Sequence, residues 1–95
     1  MMQHIVLISF KNDVDRAEVD KFLAITDDVF ADTPFRTVVY GTGMGSVQGG
    51  ADWAYTGVLD SDDISVWREH PSHIRLRDTV MPLTESVKHI QLKLD

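Results

Sequence analysis

The chain reads as an α+β protein with its elements in the order β-α-β-β-α-β. Three observations predict this. Runs rich in β-branched and aromatic residues recur at 3–10, 35–40, 53–59 and 85–94, as strands require. Between the first and second runs, and between the third and fourth, apolar residues return at helical spacing instead. The second and third runs are joined by a segment with five glycines in ten residues (41–50), which reads as a mobile hairpin connection.

Taken in order, the first strand puts His4, Val6, Ile8 and Phe10 on one face and Ile5, Leu7 and Ser9 on the other. Both faces are mainly apolar, whereas a strand with one wet side alternates more cleanly. Each side of the sheet therefore needs a cover. Asp13 is the first choice as N-cap of the following helix; Asp15 is the second, with Glu18 completing a capping box. Val19, Phe22, Leu23, Thr26, Val29 and Phe30 form the apolar stripe. The helix is expected to run to about Ala31, with Pro34 marking its end.

Thr37, Val38, Val39 and Tyr40 centre the second strand. The glycines that follow have no helix start and no Gly-Lys-Ser/Thr ending, so they do not read as a phosphate cradle. After the third strand, Asp60, Ser61, Asp62 and Asp63 form a helix-start cluster. Ile64 and Trp67 then make a short stripe ending at His70. A second helical piece begins at Pro71, carries Ile74, Leu76, Val80 and Met81, and stops near Pro82. The last strand shows Val87, His89, Gln91 and Lys93 on one face, and Lys88, Ile90, Leu92 and Leu94 on the other.

This is the ferredoxin-like arrangement, a four-stranded antiparallel sheet with the helices on one face. The other face is left for a second copy, because most oligomers are two-fold symmetric dimers. A homodimer joined through the sheet face, closing an α/β barrel, is the expectation.

At 95 residues the chain is expected to be one domain, 1–95. A net charge of −6 argues against nucleic acid and against an anionic membrane surface as partners. With no cysteine, disulfides and thiolate metal sites are excluded. The acids between 13 and 32 read as the wet face of a helix. No apolar run is long enough to span a bilayer, and the first is too short for a signal peptide, so a cytoplasmic location is expected.

The most informative stretch is His70-Pro71-Ser72-His73. Pro71 pushes His70 out of the helical region and suits the first turn of a new helix. His70 is thus expected to close one helix, in a capping role, and His73 to sit in the first turn of the next. The positive end of a helix dipole favours a neutral imidazole, which is what a general base requires. His73 reads either as a base at a cavity mouth or as a tie between helix junction and sheet. His4 lies on the helix-covered face, as a hydrogen-bonded core group or as a second cavity histidine. Histidines three apart also suit a metal, but Pro71 breaks the helix between them, and Asp78 and His89 are unanchored as further ligands. No metal and no cofactor are expected.

At this point the chain resembles the stress-responsive A/B barrel, or Dabb, family. The opening stretch from Gln3 to Lys11 resembles the family's start, a histidine before an apolar strand that ends in Phe-Lys. Trp67-Arg68-Glu69-His70-Pro71-Ser72-His73 resembles its central signature, and Val80-Met81-Pro82-Leu83 the segment before its last strand. The resemblance implies a ferredoxin-like fold that pairs with a symmetry mate into a barrel. Most members have no known reaction, while a plant branch performs a cofactor-free aldol cyclisation of a linear polyketide. Carried over by that resemblance, His73 matches the base and His4 a histidine lining the same cavity. Trp67 stands where that branch has an assisting tyrosine, and Trp53 where it has a further histidine.

Three function classes follow. The first is a cofactor-free enzyme using His73, with His4, on a carbonyl or polyketide-like substrate. Trp53, Tyr55, Trp67 and His70 would surround a small apolar or aromatic ligand, with residues 41–50 as a lid. The second is a non-catalytic dimer that binds a ligand or acts in a stress response, its aromatics filling the core. The third, by fold analogy, is a cofactor-free monooxygenase. A cavity reaching His73 favours an enzyme; a collapsed core filled by Trp67 favours the second class.

Overall fold

Two inner strands organise the sheet: β1 (Met2–Phe10) pairs antiparallel with β3 (Trp53–Leu59) on one side and β4 (Thr84–Lys93) on the other. β2 (Thr37–Thr42) adds outside β3, giving the order β2-β3-β1-β4. This computed structural model describes residues 1–45 and 50–94. The helices α1 (Arg16–Ala31), α2 (Ser65–Arg68) and α3 (Pro71–Val80) complete the ferredoxin-like β-α-β-β-α-β fold, followed by a 3-10 turn at Met81–Leu83. Part of the glycine-rich connection, 46–49, lies outside the described residues, and with it the lid reading.

The periodicity of α1 places its stripe as expected, with Val19, Phe22, Thr26, Val29 and Phe30 buried against the sheet. Its start differs from the first choice. Asp15, not Asp13, is the N-cap, accepting a 2.9 Å hydrogen bond from the Ala17 N–H. Only half of a capping box forms, because the Glu18 carboxylate turns outward to pair with Lys21.

β2 starts two residues later than the sequence suggests and runs through Gly41 to Thr42. The reason is Phe35, which leaves the strand to plug the core beside Gly57 of β3. A Cβ at Gly57 would sit 2.6 Å from the Phe35 ring, so the ring occupies the space a side chain would need. Phe35 in turn packs on Trp67, ring centroids 4.8 Å apart, and stacks on His4.

The helix junction is sharper than the pattern predicts. α2 ends at Arg68, so His70 does not close it. Pro71 holds His70 extended (φ −69°, ψ 139°), and His70 opens α3 instead, its Nδ1 accepting the Ser72 N–H at 3.1 Å. The Ser72 hydroxyl donates to the Asp32 carbonyl at 2.6 Å, fastening this junction to the end of α1. Of the four apolar residues expected to carry α3, only Leu76 and Val80 are buried; Ile74 and Met81 are exposed.

The cross-strand register sets the two sheet faces. His4 is opposite Gly57 and Gln91, so these three share the helix side, as do Tyr55, Val6 and His89. Ile5, Ile90 and Val39 share the opposite side with Leu7 and Leu92. Among the described residues no helix covers that face: Leu7 is 43% exposed, Ile90 52% and Val39 69%. Among the described residues, no helix is long and apolar enough to cross a membrane.

Replacing Gly57 with Ala is expected to destabilise the fold by about 1–3 kcal/mol, since Phe35 must shift out of a packed aromatic site. Chemical denaturation measures this; a variant as stable as the parent would mean that the ring relaxes freely.

Candidate functional site

A cavity of about 140 Å³ opens between α2–α3 and the helix side of β1, β3 and β4. It exists because the helices lie over β1, β3 and β2 and leave the same side of β4 bare, where Val87 is 41% exposed. His4, Val6 and Tyr55 form its floor, Trp67, His73, Leu76 and Val80 its roof, and His89 and Gln91 its open edge.

Four side chains cross the floor as one hydrogen-bonded chain. With the Gln91 amide oriented as it stands, its Nε2 donates to His4 Nδ1 at 2.7 Å. His4 then keeps its proton on Nε2 and donates it to Tyr55 Oη at 3.2 Å. The Trp67 indole N–H donates to the same oxygen at 3.0 Å. On that assignment the Tyr55 oxygen accepts from both His4 and Trp67, and its own O–H is left to face the cavity. Burial raises the Tyr55 phenol to about 12, so it remains a neutral donor; the Trp67 hydrogen bond opposes this in part.

His73 sits in the first turn of α3, with its Nδ1 2.9 Å from the Arg68 carbonyl. A carbonyl can only accept, so the proton is on Nδ1 and the lone pair is on Nε2. Desolvation lowers the His73 imidazole below its ordinary value; the nearby Arg77 and Arg68 charges push the same way, against the raising effect of the carbonyl contact. The imidazole is therefore neutral at neutral pH. Its ring meets the edge of Trp67, centroids 5.2 Å apart.

His4 is 5% exposed, and burial brings it down to about 4, with smaller pushes from His89, His73 and Arg68. His4 and His73 thus line the same cavity, with no hydrogen bond joining them. Of the other expected site residues, Tyr55 and Trp67 line it too. Trp53 and His70 do not. Trp53 is fully buried in the core, its ring edge-on to Phe22 at 5.0 Å and beside Phe30. Its strand position fits, but two steps along β3 from Tyr55 it lies under α1 rather than under the α2–α3 junction. His70 is turned to its capping contact and stacks on Trp67.

Sequence reasoning missed Gln91, Arg68 and Arg77, all of which line the cavity. A signal existed for Arg77, which follows His73 by one helical turn. Gln91 was legible only once β4 was registered against β1. No group of three or more His, Asp or Glu residues suited to hold a metal ion occurs among the described residues.

No family model matches the chain, and no curated protein matches it in sequence. Solved structures do. A dimeric ferredoxin-like protein of unknown function from Thermobifida fusca is 21% identical, with a TM-score of 0.86 over 98% of this chain and 90% of that one. A hydroxynitrile lyase from Passiflora edulis is 18% identical, with a TM-score of 0.76 over 99% of this chain and 93% of that one. A Dabb family protein with a ferredoxin-like fold from Mesorhizobium loti is 16% identical, with a TM-score of 0.70 over 98% and 95%. At this level of identity the likeness establishes the fold.

Because His4 is lowered in the folded chain, it contributes stability above its unfolded value near 6.5. That contribution is lost as pH falls from about 6.5 to about 4, amounting to about 3 kcal/mol at 1.36 kcal/mol per unit. Denaturation across this range is expected to show a steeper acid loss for the parent than for His4→Leu. Parallel curves would show that His4 does not carry it.

Proposed function

We propose that this chain is a single-domain, homodimeric protein of the stress-responsive A/B barrel (Dabb) family that performs acid–base chemistry on a small carbonyl compound. The observation that carries the chemistry is the fixed tautomer of His73. Its Nδ1–H is held by the Arg68 carbonyl, which leaves Nε2 as an unprotonated base on a largely apolar cavity. The fold and its likeness to a Dabb family structure support the family. Dimerisation is supported by the bare apolar sheet face and by the dimeric description of the Thermobifida fusca protein.

In this reading Nε2 of His73 removes a proton from the carbon beside the carbonyl. The electron pair moves onto the carbonyl oxygen, where the Tyr55 hydroxyl on the cavity floor would donate a hydrogen bond. The His73 imidazolium then returns a proton to carbon or to the new bond partner. No electrons change hands, so the step calls for no redox cofactor. The phenol comes from β3, whereas the plant branch has its tyrosine at the Trp67 position. Here Trp67 serves the phenol by donating to it. The cavity volume is close to the roughly 150 Å³ that accepts a benzene molecule, so its enclosed part suits about one ring rather than an extended polyketide.

A second reading, a non-catalytic binding dimer, is favoured by the complete burial of Trp67, 1% exposed, which fills much of the roof. Exchange of the α-protons of phenylacetone in D2O, followed by NMR, separates the two. Enzyme-dependent exchange is expected, falling about 100-fold in His73→Ala. It should also fall as pH drops through the lowered His73 value, below 6.5, as Nε2 becomes protonated. Exchange unchanged by His73→Ala removes the base, and absent exchange with ligand-induced His73 shifts leaves the binding reading. For the assembly, sedimentation at micromolar concentration is expected to give a dimer, and a monomer would refute it.

A further inference from the structure

Fifteen Asp and Glu residues give this chain its charge of −6, yet among the described residues none lines the cavity. The charged groups that do line it are Arg68 and Arg77. The remaining polar lining consists of neutral donors and imidazoles: His4, Tyr55, Trp67, His73, His89 and Gln91.

Neither arginine is held by a buried partner. Arg68 has no carboxylate partner among the described residues; its backbone carbonyl, not its guanidinium, holds His73. Arg77 contacts only Asp78, its neighbour in sequence, at 3.2 Å, with both side chains more than half exposed. Such a pair is worth little and yields readily to a better partner. A guanidinium presents a planar fork of donors matched to a carboxylate.

We infer that the ligand of this cavity is a small organic carboxylate, its apolar body of about one ring lying against Trp67, Leu76 and Val80 and its carboxylate taken by Arg68 and Arg77. This rests on the reading of the cavity as a ligand site, and narrows the carbonyl compound to an acid. The placement also links binding to base strength. Free arginines disfavour the His73 imidazolium; a bound carboxylate offsets them, so the base becomes stronger when substrate is present. The other groups facing His73 are Arg68 on α2, Arg77 on α3, His4 on β1, Tyr55 on β3 and His89 on β4. His4 and Tyr55 stay neutral near neutral pH. The ligand is therefore the main new charge in the comparison.

The test compares sodium benzoate with benzamide, matched in size and shape, by titration into the full chain with Trp fluorescence and histidine NMR as readouts. Benzoate is expected to bind about tenfold or more tightly, the ratio that a charge-assisted hydrogen bond supplies, with the preference shrinking as salt is added. Benzoate should raise the His73 titration midpoint, and benzamide should leave it. Arg68→Gln and Arg77→Gln should each weaken benzoate more than benzamide and so erode the preference, and Arg68→Lys should retain most of it. Equal binding of the two probes, or a preference untouched by both Gln variants, overturns the carboxylate inference and leaves the ligand site standing. Failure of both probes to bind overturns the site itself.

Discussion

The hydrogen-bonded chain from Trp67 through Tyr55 and His4 to Gln91 ties together α2, β3, β1 and β4. Buried polar groups must be paired, and a half-satisfied network in a low-dielectric interior costs more than none. The chain is satisfied only when all four elements are in register at once. Slipping β4 by one residue would turn Gln91 to the far face of the sheet and orphan His4. The same chain brings the Tyr55 hydroxyl to the cavity floor, so the feature that specifies the core also sets a polar group facing the cavity.

Around this chain the aromatics form a continuous slab. Phe30 lies against Tyr40, Tyr55 and Trp67, while Phe35 wedges between His4, Tyr55 and Trp67. Such rings bury large apolar areas and prefer tilted or offset contacts. The slab ends where β4 begins, because the helices do not reach that far. The cavity is the step between a packed aromatic core and a bare strand, and the break at Pro71 places His73 over that step.

Acidic side chains are spread over the helical layer. α1 presents Asp20, Asp27 and Asp28 to solvent, and the loop before α2 adds Asp60, Asp62 and Asp63. Arg68 and Arg77 stand on α2 and α3, beside the cavity. An acidic chain thus places two cationic side chains at this cavity, where they can attract an anion.

Much of this was legible in the residues alone. Period-two and period-3.6 patterning defined four strands, the long helix and the side of β1 that faces the helices, because alternation along a strand and stripes along a helix are local properties. Pro71 marked the junction for the same reason. What needed the tertiary structure was everything that depends on which strand lies next to which. Trp53 and Tyr55 are equivalent by strand alternation, yet one fills the core under α1 and the other floors the cavity. Phe35 reads as strand until Gly57 opens a pocket for it. His70 and His73 look like a pair in sequence, but one accepts the Ser72 N–H of the helix it opens, and the other reaches back to the Arg68 carbonyl and leaves its second nitrogen free. Local sequence determined the elements; the lateral order of strands and the reach of the helices decided which side chains share a space, because those are set by packing over long sequence distances.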